Sequence, residues 1–218
     1  MCGRFTLTAS GEEVAEALGL DAAPELTPRY NIAPTQPVVA VTRDDAGARR
    51  LSTFAWGLRL ADTRKGEKPL INARAESAAR RGVFRDAFAT RRCLVPADGF
   101  YEWQGEKPHR QPWYVRLAAG GVFAFAGLWE PAHAPGALPT CTLLTTEPNA
   151  VVAPIHERMP VILPRERHAE WLDPGRRRED ELRPLLVPYA SSALTAYRVG
   201  PGVNRAQVDE ALCIAPLA

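Results

Sequence analysis

Lysine is nearly absent from this sequence, with three residues against twenty-four arginines in a chain of 218. Alanine, glycine and proline are abundant as well, so a GC-rich coding sequence accounts for most of that bias, and single arginines carry meaning only through their positions. Long apolar runs are missing. No stretch approaches the ~18 residues of a membrane-spanning helix, and MCGRFTLTASGEEVAEALGL at the start lacks the basic and apolar regions of a secretory signal. A cytoplasmic protein without a membrane partner is expected. The four cysteines, Cys2, Cys93, Cys141 and Cys213, show no CxxC spacing, which argues against a disulfide framework and a zinc site. His109, His133 and His168 form no ligand spacing with one another, so neither a metal nor a cofactor is expected. Nor is there a strong charge imbalance: at a net +2, a nucleic-acid partner would have to be held by a local patch. Repeats and low-complexity tracts are absent, and the length suits a single domain over residues 1–218, with a monomer as the default.

What is present reads as many short strands with a few helices. Ser10 to Glu13 forms a capping box ahead of Val14 and Leu18, and Gly19 ends the helix. The connector DAAPELTPRYNIAPTQP is interrupted by four prolines and reads as irregular. VVAVTR and RRLSTFAWGL flank the turn DDAG as a hairpin. NARAESAARR and VFRDAFATR read as helical. RCLVPADGFYEWQ reads as two strands about a turn, and PWYVRLAAGGVFAFAGLWE as a hairpin with Gly-Gly at its tip. CTLLTT and MPVILP are strands on either side of a helical turn in PNAVVAPI, RERHAEWLD and REDELRPLL are helical, and ALTAYRVG and ALCIAP are closing strands. Neither βαβ alternation nor a pure β series emerges, which implies an α+β fold with a curled sheet.

Four polar stretches interrupt apolar surroundings: MCGRF, INARAES, DGFYEWQ and IHERMP. Each supplies a residue suited to proton transfer or nucleophilic attack, namely Cys2, Asn72, Glu102 and His156. Each also has a plainer reading. Glu102 faces away from Tyr101 and Trp103, and it points to solvent if those aromatics face the core. His156 serves equally as a structural histidine. Asn72 suits a helix N-cap, and Arg74 and Arg158 suit a solvated surface. Cys93, Cys141 and Cys213 sit in apolar runs and read as buried small hydrophobes.

Taken in order, MCGRF, RYNIAP, WGL, INARAES, LVPADGFYEW, GLWE, LLTTEPN, IHERMP and GPGVN resemble the SRAP family, abasic-site processing proteins that attach covalently to damaged single-stranded DNA. The resemblance covers nearly the whole chain. It implies a curled mixed or antiparallel sheet forming a pseudo-barrel core with flanking short helices. It also implies single-stranded DNA bearing an abasic site as partner, Cys2, Asn72, Glu102 and His156 as catalytic residues, and Arg4, Asn31, Arg74, Thr145 and Arg158 as DNA contacts. The loop ADTRKGEKP departs from the family pattern, in which tryptophans often wedge beside the bases. It has no aromatic, and Arg64, Lys65 and Lys68 are expected to offer phosphate contacts instead.

The resemblance gives Cys2 a specific chemistry. An opened abasic sugar is an aldehyde. If Met1 is removed, the α-amine of Cys2 condenses with it to an imine, and the thiol closes a five-membered thiazolidine that prevents strand cleavage. An ordinary α-amine titrates at ~7.7–8.0 and a thiol at ~8.5, so each needs modest help at neutral pH. Glu102 is expected to move protons during imine formation, His156 to open the sugar ring and assist reversal, and Asn72 to orient sugar or phosphate. Two rival classes use the same cysteine. An N-terminal-nucleophile amidotransferase also begins Met-Cys-Gly, but no glutamine-binding motif follows here; a peptidase would remove Met1 itself. A third rival is a non-catalytic single-strand binder in which Cys2 is incidental.

Overall fold

The computed structural model describes residues 2–44, 46–64, 66–106 and 108–217; Met1 and Lys65, which carry two of the expectations above, lie outside the described residues. The earliest local signal forms as written. Ser10 Oγ accepts from the Glu13 amide, and the Glu13 carboxylate accepts from the Ser10 N–H. That box opens helix α1 (Gly11–Leu18), and Gly19 ends it in the left-handed conformation at φ 62°, where a side chain would be strained. The helix buries Val14, Ala15 and Leu18.

Two sheets make the framework. In the first, strand β1 (Arg4–Leu7) lies between β2 (Arg29–Ile32) and β7 (Gly99–Gln104). Beyond β7 come β8 (Gln111–Leu117) and β13 (Leu194–Arg198), all antiparallel. The second sheet begins with the hairpin β3 (Pro37–Arg43) and β4 (Arg49–Trp56). It continues through β6 (Arg92–Ala97), β9 (Phe123–Glu130) and β10 (Thr140–Thr146). Because β10 pairs with β9 on one side and, in parallel, with β4 on the other, the five strands close into a ring. The two-residue strands β11 (Met159–Pro160) and β12 (Ile162–Leu163) and the short β5 (Asn72–Arg74) attach to β10 or β9. The helices α2 (Ala75–Ala78), α3 (Gly82–Thr90), α4 (His168–Leu172) and α5 (Glu179–Leu182) are short. The fold is α+β with a curled mixed sheet. Among the described residues no helix is long and apolar enough to cross a membrane.

The main core lies between the sheets. Phe5 packs edge-on to Trp56 at 5.1 Å and to Phe125 at 5.7 Å, and each such fully buried ring is worth roughly 1.5–3 kcal/mol. A smaller cluster of Tyr101, Tyr114, Val199, Val203 and Cys213 covers the opposite face of the first sheet. Both faces of β7 are therefore buried from Gly99 to Glu102.

Several expectations are corrected. The proline-rich connector contains β2, because the residues between Pro28 and Pro34 are free to pair with β1. The segments either side of Gly120-Gly121 do not form a hairpin: β8 joins the first sheet and β9 the second. Residues 211–214 form a 3-10 turn rather than a strand. β6 and β7 are likewise consecutive but belong to different sheets, joined through Asp98 alone. The Asp98 carboxylate accepts from the Thr8 amide at 2.6 Å, the Thr8 hydroxyl at 2.6 Å, the Ala9 amide at 3.0 Å and the Thr6 hydroxyl. This clamp fixes the end of β1 at the crossing. Beside it, Gly99 is required by contact, since an added Cβ would fall 2.1 Å from the Tyr114 ring.

Candidate active site

Cys2 precedes β1, whose register sets Arg4 opposite Tyr101 and Phe5 opposite Phe100. One further step toward the N terminus brings Gly3 level with Glu102 on β7. Alternation turns Tyr101 toward the small cluster and Phe100 and Glu102 toward the other sheet. Glu102 is only 1% exposed, so the solvent-facing reading fails: the face opposite the aromatics is also covered. Burial pushes its carboxyl up to about 7.

Cys2 is itself fully buried and joins the main core, which the polar setting of Gly3 and Arg4 did not suggest. Its thiol lies 3.6 Å from the Arg4 carbonyl oxygen. Burial, reinforced by the Glu102 carboxylate, pushes the thiol far above its ordinary range. With Met1 still attached, the thiol is therefore not poised to ionise near neutral pH.

Asn72 comes from the second sheet, where β5 pairs in parallel with β10 and Asn72 lies against Leu143. Its Nδ2 donates to the Cys2 carbonyl oxygen at 2.8 Å, bridging the sheets. The N-cap reading is overturned: Arg74 precedes α2 and makes no side-chain cap bond. Among the described residues the buried Asn72 Oδ1 has no hydrogen-bond partner.

His156 ends the turn after β10. Its Nδ1 lies 3.0 Å from the Arg158 N–H and 3.2 Å from the Arg158 carbonyl oxygen; acceptance from the N–H is the arrangement that puts the proton of a neutral ring on Nε2. Nε2 lies 3.9 Å from Glu102 Oε2, beyond a direct hydrogen bond but within reach of a small movement or one water. Burial holds the imidazole below its ordinary pKa. Gln104 Nε2 donates to the Pro154 carbonyl at 3.0 Å and ties β7 to this turn.

The expected DNA contacts divide. Arg74 is exposed, and Arg4 is half-buried with one Nη donating to the Gly3 carbonyl at 2.9 Å. Asn31 is fully buried, and its amide donates to the carbonyls of Val203, Arg205 and Val208. It fastens the C-terminal segment and presents nothing to a strand in this arrangement. Thr145 is also fully buried and donates to the Ala73 carbonyl. Arg158 is engaged by Glu76 in a two-pronged pair at 2.7 and 2.8 Å, and it also donates to the Thr145 carbonyl at 2.6 Å. Arg64 and Lys68 are exposed, but they share a cavity of about 850 Å³ with Asp62 and Glu67, so the local charge is mixed. Among the described residues no cluster of three or more metal-ligating side chains occurs. Glu76, Asp98 and Gln104 went unread in the sequence. Only Gln104 left a signal, lying two residues after Glu102 and hence on the same strand face.

The family model described as SOS response associated peptidase (SRAP) matches residues 1–206. The chain is 40% identical over 213 residues to the abasic site processing protein YoqW of Bacillus subtilis (strain 168), covering 94% of each chain. It is 39% identical to the abasic site processing protein YoaM of the same organism, covering 94% of this chain and 93% of that one. A crystal structure of a protein from Bacteroides thetaiotaomicron matches with a TM-score of 0.84 at 24% identity, covering 99% of this chain and 100% of that one, a likeness of fold alone. Sequence and fold agree: this chain belongs to the SRAP family.

Proposed function

We propose that the chain senses abasic sites in single-stranded DNA and attaches to them covalently through the α-amine and thiol of Cys2 after Met1 is removed. The names of the relatives support the substrate. The observation that carries the chemistry is the Asn72 bridge to the Cys2 carbonyl, which holds Cys2 beside a carboxyl titrating at about 7.

Ring closure needs an imine carbon, and that sets the order of steps. The amine attacks the aldehyde carbon first, forming a C–N bond. Loss of the former carbonyl oxygen as water gives the imine, with Glu102 exchanging protons at neutral pH. The S–H then adds across C=N: sulfur bonds to carbon and the proton ends on nitrogen, closing the thiazolidine. His156 presents Nε2–H to the sugar side and donates to the ring oxygen during opening, and Asn72 Oδ1 accepts from a sugar hydroxyl. Arg74 and Arg4 supply the nearby positive charge for sequence-independent phosphate contacts.

The test is a denaturing gel of protein mixed with single-stranded DNA carrying one abasic site. A heat-stable shifted band is expected with the unaltered protein and none with Cys2→Ala. No band for the first, or a persistent band for the second, would refute the linkage.

A further inference from the structure

Trp113 is a large aromatic on the inner face of the first sheet that packs against neither apolar cluster. The register explains its position. Phe100 faces Val115 on β8, and Val115 faces Ala196 on β13; this row is covered by the second sheet. The next row along the same face is Glu102, Trp113 and Arg198, directly opposite one another across the three strands. Here the inner face emerges from beneath the second sheet, with Glu102 still covered and Arg198 exposed. At ordinary strand spacing the row runs ~10 Å outward from the reacting centre.

The row is built rather than incidental. The Arg198 guanidinium lies over the Trp113 ring at 5.5 Å. Trp113 Nε1–H donates to Gln104 Oε1 at 3.1 Å, and Gln104 in turn donates to the Pro154 carbonyl on the turn that ends at His156. A planar ring beside a planar cation is the pairing that holds an unpaired base and its phosphate. Exposed Arg110 adds positive charge on this side, close enough to act on both Glu102 and His156.

We infer that Trp113 and Arg198 form a subsite for the nucleotide flanking the abasic position, with the base stacking at Trp113 and the phosphate meeting Arg198. This rests on the proposed function and extends it by placing base stacking on β8, where the 61–69 loop lacks an aromatic.

The test uses strands with a non-reactive tetrahydrofuran in place of the abasic sugar, so covalent chemistry does not enter. Binding is read by fluorescence anisotropy on strands extended only on the 5′ side or only on the 3′ side of the analogue. Trp113→Ala and Arg198→Ala are expected to weaken one of the two strands ~10-fold and the other distinctly less. Arg198→Ala should also shorten the salt slope for the affected strand by ~0.7. Trp113→Phe keeps a ring but has no N–H for Gln104, and it should retain most of the affinity. Equal losses on both strands, no loss, or a Phe variant as weak as the Ala variant would overturn the subsite. A missing covalent band with a true abasic strand would overturn the proposed function and leave this flank dependence as a separate result.

Discussion

Replacing Glu102 by Gln keeps the side chain's shape and removes its titration. Burial raises this carboxyl from 4.5 to about 7 in the folded chain. Between those values the folded state holds a proton that the unfolded state has released, so the linkage makes stability fall as pH rises. The loss begins near the unfolded pKa and is complete above the folded one. At about 1.36 kcal/mol per pH unit it amounts to about 3 kcal/mol. Glu102→Gln does not incur it, so relative to wild type the variant should gain about 3 kcal/mol between about pH 4 and about pH 8. For a chain of this size that is a relative rise in melting temperature of ~6–12 °C. Urea or thermal unfolding of both proteins at the two pH values measures the difference directly. The same variant should lose the limb of the crosslinking rate that rises through pH ~7. A stability difference that stays constant with pH, or that moves the other way, would refute the reasoning.

Asn72→Ala should cost about 1 kcal/mol in stability and ~100-fold in crosslinking rate at saturating DNA, because Cys2 loses its positioning contact; an unchanged rate in a time-course gel would remove Asn72 from the reaction. Asp98→Ala should lower unfolding free energy by about 2–4 kcal/mol in urea, since two backbone amides and two hydroxyls lose their acceptor. A loss below about 0.5 kcal/mol would show that the crossing holds without it. Glu76→Gln should release Arg158 for phosphate, tightening non-covalent strand binding and steepening its salt slope by ~0.7. Unchanged anisotropy titrations would mean that Arg158 serves Thr145 and the fold alone.

Local signals in the sequence translated well, and those depending on tertiary cover did not. The Ser10 capping box and the β3–β4 hairpin are complete within a few residues, so their spacing suffices to read them. The Gly-Gly turn between β8 and β9 looked equally local, yet the chain there crosses between sheets, and strand patterning does not say which neighbour a strand will choose. Glu102 shows the same limit at the site. Alternation correctly sets it opposite Tyr101, but one strand's period cannot report that a second sheet covers the other face. Asn72 and Cys2 were legible as a pair only through the family pattern, since seventy residues separate them and their contact is created by the strand topology. Asn31 and Thr145 were marked as DNA contacts only through the resemblance, and nothing in their local sequence tells such a contact from a buried side chain satisfied by backbone carbonyls.

The position of β1 between β2 and β7 bears on timing during synthesis. Its partner on one side is made almost at once, but residues 99–104 on the other follow roughly ninety-five residues later. At ~5–20 residues per second that is a delay on the order of 5–20 s, and a two-stranded ribbon of β1 and β2 is too weak to hold alone in the interval. With Met1 still attached, the folded chain buries Cys2 fully. Until residues 99–104 emerge, the segment that carries Cys2 therefore has one strand partner instead of two, and it reaches its enclosed place only after nearly half of the chain has been made.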